Sequence, residues 1–436
     1  MRSSLGIPIL DVKKKFVRTI LLYNPIAGHG HLDSWNALFV RFLLEAGWRV
    51  VSLSPGADDL RSRLRTQDLE QHPNLRILDW RTPKRSIFQR IRLKLLRTFK
   101  RAIGDVPSSH VRSERAKELE ASYLQPQEFA QRVADAVVQL GHSPNFVFNM
   151  YMDLYRDDEV GWLPFDETHY LPWAGIRFVP SGVPPPEAYY QLPTLVGMCF
   201  LNESVQQDYA SHFPQKHFEC LPDITDATLP SYKSAFAENI KRLAAGRKIV
   251  FMGGTIGSNK NLSHWFNVIN QAKSGDWFFV QIGEVHEQNL SAEDLTAYHH
   301  ALKIKPDNLF VHAEYLKDER IFNEVISLSD VLFAVYRNFS LSSNMPGKAA
   351  AFNKPIVVAD GFLMGARVKQ YQIGLTVPEC DVELTLQALA VLTQPPSHRL
   401  IALPEHYAAY RQDFGHEALK AKLFGFLDRA CVLTKA

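Results

Sequence analysis

The stretch Asp330–Pro378 reads DVLFAVYRNFSLSSNMPGKAAAFNKPIVVADGFLMGARVKQYQIGLTVP. Three apolar runs in it, Val331–Val335, Pro355–Val358 and Gly374–Val377, have the length and composition of buried strands. A polar loop and two short helix-like segments separate them. Strands alternating with helices predict an α/β layer structure. The loop Arg337–Gly347 is rich in Ser, Asn and Gly and leads into a helix. Hydroxyls, amides and backbone N–H groups at a helix N-terminus favour an anion, because orphan donors and the helix dipole act together there. Ser342, Ser343, Asn344, Gly347 and Lys348 are therefore candidates for holding a phosphate.

The same alternation extends upstream. Lys248–Met252 predicts a strand, followed by the loop Gly253–Lys260 (GGTIGSNK) and a helix over Ser263–Ala272. Trp277–Ile282 is a strand ending in Gly283-Glu284, Leu309–His312 a short strand, and Asp318–Leu328 a helix. Gly254, Thr255, Lys260, Gly283, Glu284 and Asp360 thus follow predicted strands, where α/β folds place their ligands. Lys260 and Lys348 are cations suited to neutralising a diphosphate. No Asp-x-Asp pair follows a strand in this half, so no cofactor and no essential metal are expected. Helices are expected at Val382–Leu392 and over roughly 405–430.

The first half repeats the pattern. Val17–Tyr23, Trp48–Leu53, Asn74–Asp79, Asn145–Tyr151, Leu195–Phe200 and Phe218–Leu221 read as strands; Trp35–Ala46, Gln127–Leu140 and Asn202–His212 read as helices. Thr168–Pro186 reads as irregular, and Pro222–Ser234 as a linker. His29 and His31, in the Gly28–His31 loop after the first strand, are candidate acid–base groups or ordinary helix-start residues. Asp153, just past a strand, is a candidate base or a turn acid. The expected domains are 1–228 and 229–404, with a C-terminal helix over 405–436.

Composition sets the outer bounds. A chain of 436 residues exceeds one ordinary core. With 46% hydrophobic and 22% charged residues it is globular, and a net charge of +3 singles out no partner. Cys199, Cys220, Cys380 and Cys431 form no metal pattern and read as free thiols of a reducing compartment. The first residues do not read as a signal peptide, and no run is apolar enough to span a bilayer. A cytoplasmic protein is expected. Lys84–Gly104 carries eight Lys or Arg and no acid, with Ile87, Phe88, Ile91, Leu95, Leu96, Phe99 and Ile103 on one helical face. Such a segment either packs on its own domain or lies on an anionic membrane surface, here the inner face. Its basic residues are not interleaved with exposed aromatics, so nucleic acid is not expected.

Several of these motifs, in order over about 247–380, resemble the donor domain of GT-B glycosyltransferases, near glycosyltransferase family 4. KIVFMGGTIGSNKNL resembles the strand and loop that open that domain, FVQIGE its next strand and glycine turn, and GKAAAFNKPIVVADGFLMG with YQIGLTVP the donor loop's helix, strand and closing segment. The resemblance implies two Rossmann-like domains facing across a cleft, with the C-terminal helix crossing back to the first. It implies a nucleotide-sugar donor, carrying UDP or GDP, and a glycan, lipid-linked or small-molecule acceptor. One departure stands out. The family's two glutamates, with seven residues between them, fall on Ser340 and Lys348 here, so Glu284 or Asp360 is left to orient the nucleoside or sugar. The departure also leaves stereochemistry open: Asp153, His29 or His31 serves as base if the reaction inverts, the donor phosphate if it retains. A non-hydrolysing sugar-nucleotide epimerase and an inactive glycosyltransferase-like binding subunit are the alternatives.

Overall fold

Ile20–Tyr23, Val250–Met252, Val331–Val335 and Ile356–Val358 are buried at every position, as strands covered on both faces must be. A computed structural model of the chain shows how they assemble. It describes residues 18–26, 31–80, 124–155, 161–162, 165, 170–272, 275–395 and 400–433. His29 and the basic segment Lys84–Gly104 lie outside these. The chain divides into two compact units: Met1–Phe200 with Gln207–Phe218 and Phe426–Ala436, and Leu201–Gln206 with Glu219–Gly425.

The first sheet contains β1 (Thr19–Tyr23), β2 (Arg49–Ser54), β3 (Leu75–Asp79), β4 (Phe146–Asn149), β5 (Trp173–Ile176), β6 (Leu195–Phe200) and β7 (His217–Cys220), in the order β3-β2-β1-β4-β5-β6-β7. Its helices are α1 (His31–Glu45), α2 (Ala57–Arg65), α3 (Pro126–Leu140) and α4 (Glu203–His212). β5 corrects the expectation that 168–186 is irregular. Its four buried residues, directly after Pro172, are too few to show a period in sequence.

The second sheet contains β8 (Lys248–Gly253), β9 (Trp277–Ile282), β10 (Leu309–His312), β11 (Val331–Ala334), β12 (Ile356–Ala359) and β13 (Gly374–Val377). Its order is β10-β9-β8-β11-β12-β13, and every pairing is parallel. The helices are α5 (Ala235–Ala244), α6 (Leu262–Gln271), α7 (Ala292–Ile304), α8 (Glu319–Leu328), α9 (Met345–Phe352), α10 (Leu363–Tyr371), α11 (Val382–Leu392), α12 (Pro404–Phe414) and α13 (His416–Leu433). Successive residues go to opposite faces: Phe251, Leu332 and Val358 join one core layer, Met252, Phe333 and Val357 the other. Both sheets reverse their winding beside the first strand, between β1 and β4 and between β8 and β11. Ligands of doubly wound sheets bind beyond the carboxyl ends of the strands at such a reversal.

The single helix expected over 405–430 is two. Gly415 adopts an extended backbone between α12 and α13, and a Cβ there would stand 2.4 Å from the Arg411 carbonyl oxygen. Near the end of α13 the Phe426 ring lies 6.2 Å from Phe148 and 5.2 Å from His217.

One core group makes stability pH-dependent. His264, on α6, faces Thr385 of α11 with Nε2 3.1 Å from Oγ1. Burial lowers its pKa to about 4, with Arg337 adding to the fall and Asp381 opposing it. The unfolded chain takes up this proton near pH 6.5, the folded chain only near 4, so stability falls as pH drops through that window. His264→Gln is expected to flatten this dependence in thermal melts between pH 7 and pH 4. An unchanged slope would remove His264 from it.

Candidate functional site

The second sheet's reversal is built on glycine. Gly254 directly follows β8 with φ +90°, and Gly283 directly follows β9 with φ +148°. A Cβ on Gly283 would lie 1.9 Å from the Gly254 carbonyl oxygen, so these two loops meet backbone to backbone. The contact continues past the strands: Gly254 N–H donates to Ile282 O (3.1 Å), Ile256 N–H to Glu284 O (2.9 Å) and His286 N–H to Ile256 O (2.9 Å). Glu284 thus helps fix the loop through its backbone, while its carboxylate is exposed, 3.6 Å from His286 Nε2. Thr255 is exposed at the loop's tip.

This loop delivers Lys260. Its side chain folds back under Gly254 and is 6% exposed. Nζ donates to Gly253 O (2.9 Å) and to Tyr336 Oη (2.5 Å), and sits 4.1 Å from the Tyr336 ring centroid. A Cβ on Gly254 would be 3.6 Å from Nζ, so the glycine lets another molecule's atoms approach there. Tyr336 follows β11, so Lys260 bridges the two strands that flank the reversal. Among the described residues no carboxylate lies within 4 Å of this ammonium. A buried cation without a counter-ion is costly, because water's solvation is lost and nothing replaces it.

Lys348 is the opposite case. It is 1% exposed on α9, and Nζ donates to Asp226 O (2.6 Å), Glu319 Oε1 (2.9 Å) and Asn323 Oδ1 (2.6 Å). All three N–H groups are spent and the charge is balanced. Where the sequence led us to expect a diphosphate clamp, Lys348 here fastens the linker to α8 and α9. The loop ahead of it is held similarly. Ser342 Oγ donates to Asp223 Oδ2 (3.0 Å) and accepts from Arg367 Nη1 (3.0 Å). Ser343 Oγ accepts from Met345 N–H (3.3 Å), and Asn344 O accepts from Thr225 Oγ1 (3.2 Å). A Cβ on Gly347 would press to 2.9 Å from Thr225 Oγ1.

Asp360, past β12, pairs with Lys369 Nζ at 2.5 Å and accepts from Gly361 N–H. Lys369 first, then that N–H, holds its carboxyl below the usual range. With Ser340, Phe362 and Arg367 it lines a cavity of about 1080 Å³ within the second unit.

In the first unit, Asp153 follows β4 in a short turn. Its two oxygens accept N–H bonds from Phe178 (2.9 Å) and Val179 (2.7 Å), with Arg177 Nε at 3.9 Å. Burial nevertheless raises its pKa, outweighing those bonds. Arg177 also binds Glu187 and the Tyr189 hydroxyl. The carboxylate therefore anchors the chain after β5. His31 opens α1.

No protein-family model matches this sequence, and neither does any curated protein. Solved structures do match in fold over nearly the whole chain. A glycosyltransferase from Rickettsia africae superposes with a TM-score of 0.63 at 10% identity, covering 96% of this chain and 99% of that one. An α,α-trehalose 6-phosphate synthase from Burkholderia multivorans gives 0.64 at 13%, covering 96% and 98%. HepE from Anabaena, in complex with UDP and glucose, gives 0.59 at 11%, covering 94% and 99%. The fold is GT-B.

Sequence reading did not single out the groups that organise the second sheet's edge in this GT-B chain. Arg367, on α10, binds Leu201 O, Glu203 and Ser342, with Phe414 stacked on its guanidinium. Arg337 binds Asn261, Ser263 and the buried Asp294. Their partners lie 25 to 166 residues away, so no local spacing announces them.

Lys348→Ala is expected to leave Asn323 Oδ1 without its donor and to remove the ion pair with Glu319, lowering unfolding free energy by about 2 kcal/mol or more in denaturant titration. Nucleotide affinity of the folded protein should persist. Full stability with lost affinity would return Lys348 to the binding site.

Proposed function

We propose that this chain transfers a glycosyl group from a nucleoside diphosphate sugar to an acceptor hydroxyl. The observation that carries the reading is Lys260, a buried ammonium at the winding reversal of the second sheet, short of an anion and roofed by a glycine. A diphosphate supplies the missing charge. When the bond from the sugar's anomeric carbon to the phosphate oxygen breaks, negative charge grows on the leaving diphosphate. A fixed cation stabilises that state more than the ground state. The acceptor oxygen forms the new bond, and its proton passes to a base or to the leaving phosphate. Gly254, Thr255, Gly283 and Glu284 form the loops beside the diphosphate; Ser343 and Asn344 stand at the start of α9 and Asp360 just past β12.

The bound UDP and glucose of HepE make UDP-glucose the first donor to try. With charge neutralisation assigned to Lys260, transfer should proceed in EDTA; loss of rate restored by Mg²⁺ would overturn that assignment. A lipid-linked or cell-surface glycan acceptor, and contact with an anionic membrane, rest on the sequence of Lys84–Gly104. Among the described residues no helix is long and apolar enough to cross a membrane. Sedimentation with phosphatidylserine vesicles at low salt tests the contact.

The direct test follows diphosphate release from UDP-, GDP- and ADP-sugars with and without a panel of sugar and lipid-linked acceptors. Acceptor-dependent release is expected, and Lys260→Ala should slow it by about 10²-fold or more. Conversion of donor alone to an epimer would favour an epimerase. Full activity in Lys260→Ala would refute the reading.

A further inference from the structure

We infer that Arg337 is the positioning residue that holds Lys260 in its anion-facing pose, an inference that rests on Lys260 meeting the donor diphosphate. The tripeptide Asn259–Lys260–Asn261 is gripped from both ends by one residue. Arg337 N–H donates to Asn259 O (2.9 Å), and Arg337 Nη2 donates to Asn261 Oδ1 (2.7 Å). Between these anchors, Tyr336 Oη accepts from Lys260 Nζ. Two consecutive residues after β11 therefore fix three consecutive residues after β8.

Arg337 is itself fixed. Nη1 donates to Asp294 Oδ2 at 3.2 Å, and Nη2 also to Ser263 Oγ at 2.7 Å. Asp294 is fully buried; its Oδ1 accepts from Ser263 N–H, and Ser291 Oγ donates to Oδ2 beside Arg337. Asn261 closes the frame. Its backbone is left-handed at φ +56°, and its Nδ2 donates to Glu379 O (2.6 Å), while Glu379 Oε1 accepts from Asn338 N–H (2.7 Å). Loops after β8, β11 and β13 are thus locked to one guanidinium. Asp294 balances Arg337 within the protein and leaves the Lys260 charge unbalanced. A planar fork serves Asp294, Asn261 and Ser263 together; a lysine ammonium at this place has no such geometry.

Calorimetry on the full chain tests this with UDP, GDP and ADP, and then with the monophosphate of the tightest binder. Arg337→Lys keeps the charge on Asp294. Asn261→Gly keeps the left-handed backbone without strain and deletes the side chain that joins Arg337 to Glu379. Each should reduce the preference for diphosphate over monophosphate about tenfold or more, with monophosphate affinity unchanged. Lys260→Ala should abolish that preference, and adding Arg337→Lys to it should change nothing further. An equal loss from Arg337→Lys with and without Lys260, or no loss at all, overturns the inference. A wild-type chain without the preference, or Lys260→Ala retaining it, overturns the donor-site reading and the inference with it.

Discussion

The second unit depends on one unsettled charge. An ammonium placed under a backbone loop loses most of its hydration and regains it only through what surrounds it. Around Lys260 these are one carbonyl, one phenol and an aromatic face, all neutral. The loop geometry serves that placement. Gly283 allows the β8 and β9 loops to touch, Gly254 leaves space above Nζ, and Tyr336 reaches across from the adjoining strand. Folding this chain therefore leaves a buried positive charge among neutral partners where the second sheet reverses its winding.

Two buried lysines show what sequence discloses and what it does not. Lys260 and Lys348 both follow predicted strands and both precede or enter helices, so local pattern treats them alike. The difference lies in distant residues. Glu319, Asn323 and the Asp226 carbonyl converge on Lys348 and Glu319 balances its charge, whereas among the described residues no carboxylate lies within 4 Å of the Lys260 ammonium. Where the donor domains of glycosyltransferase family 4, which this stretch resembles, carry a glutamate, this chain has a lysine held by its own residues. Asp153 teaches the same lesson in the first unit. Its place after β4 was legible, but its commitment to the N–H groups of Phe178 and Val179 was not.

The fold was largely legible because buried parallel strands leave long apolar runs. β8, β9 and β11–β13 emerge within a residue or so of their sequence limits, and the alternation with helices fixes the class. Short or composite elements were not. β5 has four residues behind a proline, α5 follows directly on the linker capped by Ser234, and the break at Gly415 brings the backbone so near the Arg411 carbonyl, one turn earlier, that a side chain would not fit. Those features are set by tertiary contact, which no local period encodes.

A crystal structure with UDP bound tests the central claim most directly. The account predicts a diphosphate oxygen within hydrogen-bond distance of Lys260 Nζ, over Gly254, with Lys348 still bound to Glu319 and Asn323. A diphosphate seated elsewhere, with Lys260 still lacking an anion, would contradict it.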